Sequence, residues 1–386
     1  MNIFNEKQLL NMALDAKKTN YLTHGLHPYP AKFIPQIPNM LIKEFTKPDD
    51  VILDPFCGSG TSLVESKLLG RNSIGVDLHL LATFLSKVKT TKISKLHLQN
   101  IPKILLDIEK TIDTFYNLEN KNKSETKWGN FELPDFSNRD HWFQRNVLFE
   151  LAIIKGISKK NPKNLSDLLL CAMSAIIVPV SNQHGETRYA AIEKNILPKK
   201  TFNLFKDKTL NFISRISDFN DKATNSWIKI HNADSRKLDF LKNGSVDFII
   251  TSPPYANTFE YYLYHKHRMN WLDMNWQNVR DNEIGSRYVH SSRREGIDTY
   301  VDALEPCFAH FNRILKKKKY FVIIIGDSVI QQQKFSGMDI TKKLALKTGF
   351  EIIQGLNYEL DSTSKLFIKS FRQKGKKEHI LLLQKP

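Results

Sequence analysis

Between Val51 and Asp77 a short apolar run, Val51-Ile52-Leu53, passes into DPFCGSGT (54–61), then into a helical stretch from Ser62 to Leu69 that stops at Gly70, and then into Asn72 to Val76, which leads to Asp77. Strand, glycine-rich turn, helix, strand is a βαβ unit. Such a unit commits a chain to a parallel sheet with helices on both faces. The same rhythm returns later. Ile228 to His231 reads as a strand that ends near Asp234, VDFII (246–250) as a buried strand running straight into TSPPY (251–255), and YFVIII (320–325) as a third before Gly326 and Asp327. Tyr300 to Leu315 has helical spacing, and Phe350 to Tyr358 and His379 to Leu383 read as two strands closing one edge. The pattern predicts an α/β fold: a Rossmann-like, doubly wound, mainly parallel sheet of seven strands.

The rhythm breaks between 92 and 226. Leu148 to Ile157, Asp167 to Ile177 and Thr201 to Phe219 have helical periodicity, with a polar stretch around Asn117 to Asn130. At about 150 residues per domain, a chain of 386 residues holds two to three units. We therefore divide it into a catalytic domain, 1–91 with 227–386, and a helical insert, 92–226. The link from Ala256 to Thr299 is rich in Tyr, His, Trp and Arg but has little apolar periodicity, and it is expected to be a loop.

Charge bears on partners. Lys and Arg number 57 against 40 Asp and Glu, a formal charge of +17. An excess of this size attracts polyanions and makes nucleic acid the leading partner. The longest apolar run, Leu168 to Val180, is broken by Ser174 and Pro179 and is shorter than the ~20 residues of a membrane span. The N-terminus lacks the layout of a secretory signal, and the three cysteines (Cys57, Cys171, Cys307) form neither a disulfide framework nor a metal-type pair. A reducing cytoplasm and no metal are the expectations.

The glycine turn is suited to a ligand. Gly58 and Gly60 let backbone approach closely, and the helix after Thr61 presents free N–H groups. A pyrophosphate fingerprint would need a third glycine at position 63, which is Leu63. An adenosine cofactor without a phosphate chain fits better, with Asp77 placed for ribose hydroxyls. The TSPPY turn is stiff, because two prolines fix φ and remove two donors. Ser252 and the Pro253 carbonyl can accept from an amino group, and Tyr255 can stack on a flat ring. Either turn alone could be a simple strand terminator. Both lie at carboxyl ends of strands, where open α/β sheets bind ligands.

DPFCGSGT followed by TSPPY resembles the S-adenosylmethionine-dependent DNA methyltransferases that modify exocyclic amino groups, N4 of cytosine or N6 of adenine. HPYPAKF (27–33) is similar to their N-terminal cofactor motif, and NADSRKLDF (232–240) stands where they carry an acidic residue facing the cofactor adenine. The likeness covers roughly residues 20–90 and 228–386. It implies that Ser252, Pro253, Pro254 and Tyr255 act on the target base. It also implies that S-adenosylmethionine is held by Lys32, Phe33, Asp54, Pro55, Phe56, Gly58, Gly60, Thr61, Asp77, Leu78, Asp234 and Ser235. Within that set Asp54 and the turn would line the methionine and sulfonium end, Lys32 and Phe33 would lie near the methionine moiety, and Asp77 would face the ribose and Asp234 the adenine amino group. The target base would be flipped out of duplex DNA. Serine at the first position of SPPY is associated with N4-cytosine in this family.

Target reading is expected from 92–226 and from 256–299, with Arg145, Arg188, Arg287, Arg293 and Arg294 as candidate DNA contacts. A cognate restriction endonuclease is the implied partner. Pro306-Cys307, which has the letters of a carbon-5 cytosine methyltransferase nucleophile, lies on a helical face and reads as structural. Two departures from the family pattern stand out. The insert falls early, and KKKK (316–319) occupies the place of the usual Pro-Gly-Gly turn and reads as a solvated turn. The alternatives are an N6-adenine DNA methyltransferase, an RNA or protein N-methyltransferase, and a nucleic-acid-binding protein with a vestigial cofactor site.

Overall fold

The computed structural model describes residues 19–32, 34–121, 131–359 and 377–386. Seven strands make one sheet: β1 (Val51–Asp54), β2 (Asn72–Asp77), β3 (Ile228–Asn232), β4 (Val246–Thr251), β5 (Leu315–Gly326), β6 (Glu351–Glu359) and β7 (Lys377–Gln384). Across the sheet they run β6-β7-β5-β4-β1-β2-β3. All pairings are parallel except those of β7, which is antiparallel to both β5 and β6. This is the predicted Rossmann-like, mainly parallel sheet of seven strands. Its order reverses between β1 and β4, so the chain leaves those two strands in opposite directions and opens a crevice at their carboxyl ends.

Alternation along the strands builds two cores. Leu53, Ile249, Phe321, Ile323 and Leu381 face α9 (Ile297–Ile314) and α10 (Gly337–Lys347). Their neighbours Ile52, Phe248, Ile250, Val322 and Leu382 face Ile37, Leu41 and Ile42 of α1 (Gln36–Phe45). Because both faces are covered, β4 is buried along its whole length, and its sequence shows an unbroken apolar run rather than an alternating one.

Two expectations need correction. Lys316 to Lys319 do not form a turn but lie inside β5, which begins at Leu315. Lys316 Nζ stands 2.8 Å and Lys319 Nζ 3.6 Å from Asp247 Oδ1, so the run is fixed partly by a carboxylate on the neighbouring strand. Burial opposes ionisation of Asp247, yet Lys316 and the Val51 N–H hold its carboxyl below the ordinary value. The link 256–299 is not a plain loop either. It contains α8 (Tyr261–Trp271), a short helix Gln277–Asn282 and a π-turn at Tyr288–Ser292. α8 buries His265, His267, Arg268, Met269 and Trp271, so both polar and apolar positions are inside and no amphipathic stripe appears in its sequence.

After α2 (Thr61–Leu68) and α3 (Leu80–Thr90), residues 95–222 build α4 (Lys95–Lys121), α5 (Arg145–Lys159), α6 (Lys163–Val180) and α7 (Lys200–Lys222). Leu81, Leu85, Leu151, Met173, Phe205 and Trp271 belong to one apolar cluster, which joins this helical layer to α3 and α8. α6 is long and apolar enough to cross a membrane, but 78% of it is buried inside the molecule, as befits a core helix. The cysteines are free and buried, Cys307 within α9.

The layer is pinned by buried carboxylates at helix starts. Glu150 in α5 accepts from Lys199 N at 2.7 Å, Phe202 N at 2.9 Å and Tyr116 Oη at 2.6 Å, which satisfies N–H groups at the beginning of α7. Glu150→Ala leaves these donors buried without an acceptor. It is expected to cost about 2–3 kcal/mol in urea unfolding, and a loss under about 0.5 kcal/mol would show that the cap carries no stability.

Candidate active site

Asp54 closes β1 and is the hub of the glycine turn. Its Oδ1 accepts from Phe56 N at 3.2 Å and from Thr251 Oγ1, at the end of β4, at 2.7 Å, while Oδ2 accepts from Ser62 Oγ in α2. Burial lifts the carboxyl to about 6 although the two hydroxyl bonds favour the charged form. Gly60 has φ +83°, and a Cβ there would lie 2.7 Å from Ser86 Oγ and 2.9 Å from Ser86 Cα. Only glycine lets the turn pass so close to α3. Ser86 Oγ donates to the Gly58 carbonyl at 2.8 Å and Gly58 N donates to Asp77 Oδ2 at 2.8 Å, so the turn is held from both β2 and α3.

The turn opens on a cleft of about 710 Å³ including its mouth, within the range of small-molecule sites. One wall is Phe56, Gly58, Asp77, Leu78, His79, Asp234 and Ser235, and the other includes Ser252, Pro254 and Tyr261. Tyr29 and Ala31 close it on the N-terminal side, and Val279, Asn282, Glu283 and Ile284 on the side of the 256–299 link. The glycine turn and the SPPY turn therefore face one space.

Carboxyls gather at one end. Asp77 accepts from the backbone N–H of Gly58 and of His79, each at 2.8 Å, and burial lifts it to about 6 against those bonds. Glu283 Oε1 accepts from Tyr261 N at 3.0 Å, but Oε2 is buried with no partner among the described residues. Burial, with Glu260 and Asp77 adding to it, pushes Glu283 up to about 8. Asp234 is already paired: Arg236 grips it through Nε and Nη2, the latter at 2.6 Å. Tyr29 stacks on His265 at 4.9 Å and on Tyr261 at 6.0 Å, giving the cleft an aromatic flank. An aromatic flank, an orphaned acceptor and hydrogen-bonded carboxyls fit an adenosine-bearing ligand.

The SPPY turn is braced from behind. Tyr300 Oη in α9 donates to the Pro254 carbonyl at 2.8 Å. Ser252 Oγ donates to Tyr255 Oη and Tyr255 Oη to Glu378 Oε1, each at 3.3 Å. The Tyr255 ring lies against Gly326, where a Cβ would come within 2.7 Å of it. Tyr255 is thus held behind the cleft wall, with Ser252 and Pro254 on the wall itself.

Of the remaining sequence candidates, Asp54, Pro55, Gly60, Thr61 and Lys32 are not among the residues that line the cleft, and Pro253 is buried. The Pro55 carbonyl accepts from Ser235 Oγ, which locks the 232–240 segment onto the glycine turn. Phe33 lies outside the described residues. Arg145, Arg188, Arg287, Arg293 and Arg294 are exposed at the start of α5, on the hairpin after α6 and around the π-turn. Sequence reasoning missed Glu283, His79, Tyr261 and the stacking role of Tyr29. Only Tyr29, within HPYPAKF, carried a signal that could have found it.

Comparison with known proteins agrees with this geometry. Residues 5–82 match the model of a DNA methylase family. The chain is 24% identical over 397 residues to the type II methyltransferase M.MjaII of Methanocaldococcus jannaschii, covering 81% of this chain and 74% of that one. It is 29% identical over 277 residues to the type II methyltransferase M.MvaI of Kocuria varians, covering 66% of this chain and 59% of the relative. A SAM-dependent methyltransferase of Methanosarcina mazei of solved structure superposes at a TM-score of 0.35 with 10% identity, covering 93% of this chain and 98% of that one. In sequence the chain is thus similar to DNA methyltransferases, through the family model at its N-terminal part and through the type II relatives over most of its length.

Proposed function

We propose that this protein transfers a methyl group from S-adenosylmethionine to the exocyclic N4 of a cytosine flipped out of duplex DNA, within a restriction-modification or related system. The observation that carries the reading is the single cleft shared by Gly58 and Asp77 on one side and Ser252 and Pro254 on the other. Ser252 at the head of SPPY favours cytosine over adenine as the target. A cognate endonuclease would be the functional partner, in keeping with the type II relatives.

Bound S-adenosylmethionine supplies an electrophilic methyl on a sulfonium. The chain supplies position. Asp77 and Glu283 hold the adenosyl part, and the aromatic flank of Tyr29 and Tyr261 excludes water beside it. The amino nitrogen of the base is a weak nucleophile because its lone pair is delocalised. Ser252 Oγ and the Pro253 carbonyl accept its hydrogens and fix the lone pair toward the methyl group, so rate comes from orientation and charge stabilisation. The Tyr255–Glu378 and Tyr300–Pro254 braces keep those acceptors in place. Extruding the base costs a few kcal/mol, offset by contacts in the cleft. The helical layer 92–226 and the exposed Arg145, Arg188, Arg287, Arg293 and Arg294 would engage phosphates and base edges.

The direct test incubates the protein with labelled S-adenosylmethionine and either duplex DNA or RNA, and identifies the product nucleoside by mass. N4-methylcytosine is expected. N6-methyladenine would move the target atom, and label on RNA alone would overturn the reading. Ser252→Ala is expected to lower the transfer rate by about 100-fold with S-adenosylhomocysteine affinity unchanged. Asp77→Asn should instead weaken that affinity about tenfold. Equal loss of affinity in both variants would show the two walls to be misassigned.

The pH profile follows from Asp77. Its carboxyl sits at about 6 in the free protein, so as pH falls through that value the acceptor is protonated. Calorimetry should find S-adenosylhomocysteine affinity falling as pH drops below about 6, with most of that fall removed in Asp77→Asn. A profile unchanged by the substitution would place the titrating group elsewhere.

A further inference from the structure

β5 lies beside β4 and parallel to it, so its end at Gly326 stands on the same edge of the sheet as the SPPY turn. Beyond it the chain folds into a hairpin of two short antiparallel strands, Ser328–Ile330 and Gln333–Phe335. The hairpin is tied to the catalytic turn. Asn257, two residues after Tyr255, donates from Nδ2 to the Val329 carbonyl at 2.7 Å and accepts at Oδ1 from Ser291 Oγ of the π-turn at 3.0 Å. At its root Asp327 accepts from Gly337 N at 3.2 Å and Lys377 N at 3.1 Å, with His379 Nε2 at 2.6 Å, and Ile330 is buried in the core. The hairpin is therefore held from several sides.

Its tip departs from the usual chemistry of such turns. A two-residue hairpin turn needs φ above zero at both central positions, which is why Asn-Gly and Gly-Gly are common there. Here the pair is Gln331-Gln332, at φ +48° and +66°. Long amide side chains thus occupy backbone that glycine would adopt without strain, and strain kept at an exposed tip points to a use for the side chains. Gln331, Gln332 and Gln333 are all exposed. Gln331 Nε2 donates to the Arg294 carbonyl at 2.8 Å, which joins the tip to the segment of exposed Arg287, Arg293 and Arg294. Gln332 and Gln333 have no side-chain hydrogen-bond partner among the described residues, and the hairpin 328–335 contains no Asp or Glu.

A two-stranded ribbon fits the major groove of duplex DNA, and a glutamine amide matches the donor and acceptor of an adenine edge there. Arginines beside it suit the flanking phosphates. We propose that the hairpin Ser328–Phe335 enters the major groove of the substrate duplex beside the target base, and that Gln332 and Gln333 read base edges there. The inference rests on the DNA methyltransferase reading above and adds a source of sequence specificity outside both 92–226 and 256–299.

The test incubates the full chain with S-adenosylmethionine and a library of duplex DNA randomised in sequence, and reads the methylated positions with their flanks. Gln332→Gly and Gln333→Ala are each expected to lower discrimination by about 10- to 100-fold at one or two fixed positions beside the target, with the remaining positions as selective as before. S-Adenosylhomocysteine affinity should change by less than about twofold in either variant. Both variants should melt within about 2 °C of the unsubstituted protein, since the substituted side chains are exposed. An unchanged flanking preference in both variants, or a rate lowered equally on every sequence, would overturn the assignment. If the unsubstituted protein methylated no duplex DNA, the methyltransferase reading itself would fall, and this inference with it.

Discussion

The Asp54 carboxylate joins parts of the chain that are far apart in sequence. Through Thr251 it fastens the end of β4 to the end of β1, through Ser62 it fixes the start of α2, and through the Phe56 N–H it shapes the turn between them. These are the two strands between which the sheet order reverses. The crevice at a switch point exists by topology, but its width depends on how the two strand ends are tied. One buried carboxylate with three donors sets that spacing without occupying the cleft. An apolar residue could fill the volume but could not hold three partners at fixed angles.

The same logic recurs around the wall. The Asp77 oxygens are partly used by Gly58 and His79, the Pro254 carbonyl by Tyr300, the Pro55 carbonyl by Ser235, and the Tyr255 hydroxyl by Ser252 and Glu378. Most polar atoms near the cleft thus serve to hold the wall. Against that background Glu283 Oε2 and His79 Nε2, both on residues that line the cleft, are buried with no partner among the described residues. The N-terminal segment is secured by the same device. Glu65 accepts from Tyr21 Oη at 2.5 Å and Asn39 Nδ2 at 2.6 Å, and His24 Nε2 stands 2.6 Å from it, so the segment that carries Tyr29 and Lys32 is anchored to α2.

What could be read in advance follows from these roles. DPFCGSGT and TSPPY were legible because they need unusual backbone at strand ends, and glycine and proline are the residues that allow it. β1, β4 and the later parts of β5 and β7 were legible because burial on both faces leaves continuous apolar runs. α8 was not, because its polar residues are satisfied inside: Arg268 by Glu186, from a hairpin more than eighty residues earlier, and by the Ser174 carbonyl. A helix buried all round shows no stripe. The lysine run was misread because a cluster of like charges usually signals a solvated turn, whereas Asp247, distant in sequence, lies beside it on the neighbouring strand. Glu283 carries no motif at all, and its importance comes only from the space that it faces.

The helical layer constrains the site as well as any DNA. α3 carries Leu81 and Leu85 into the shared core, while its Ser86 braces the glycine turn and its Lys89 reaches Ser59. α8 contributes Trp271 to that core, and its first residue, Tyr261, lines the cleft. A displacement of the layer would therefore be felt at both the turn and the aromatic flank, since packed interiors transmit strain rather than absorb it. A protein that reads sequence through 92–226 would thereby have its target-sensing surface in mechanical contact with the wall that holds the methyl donor.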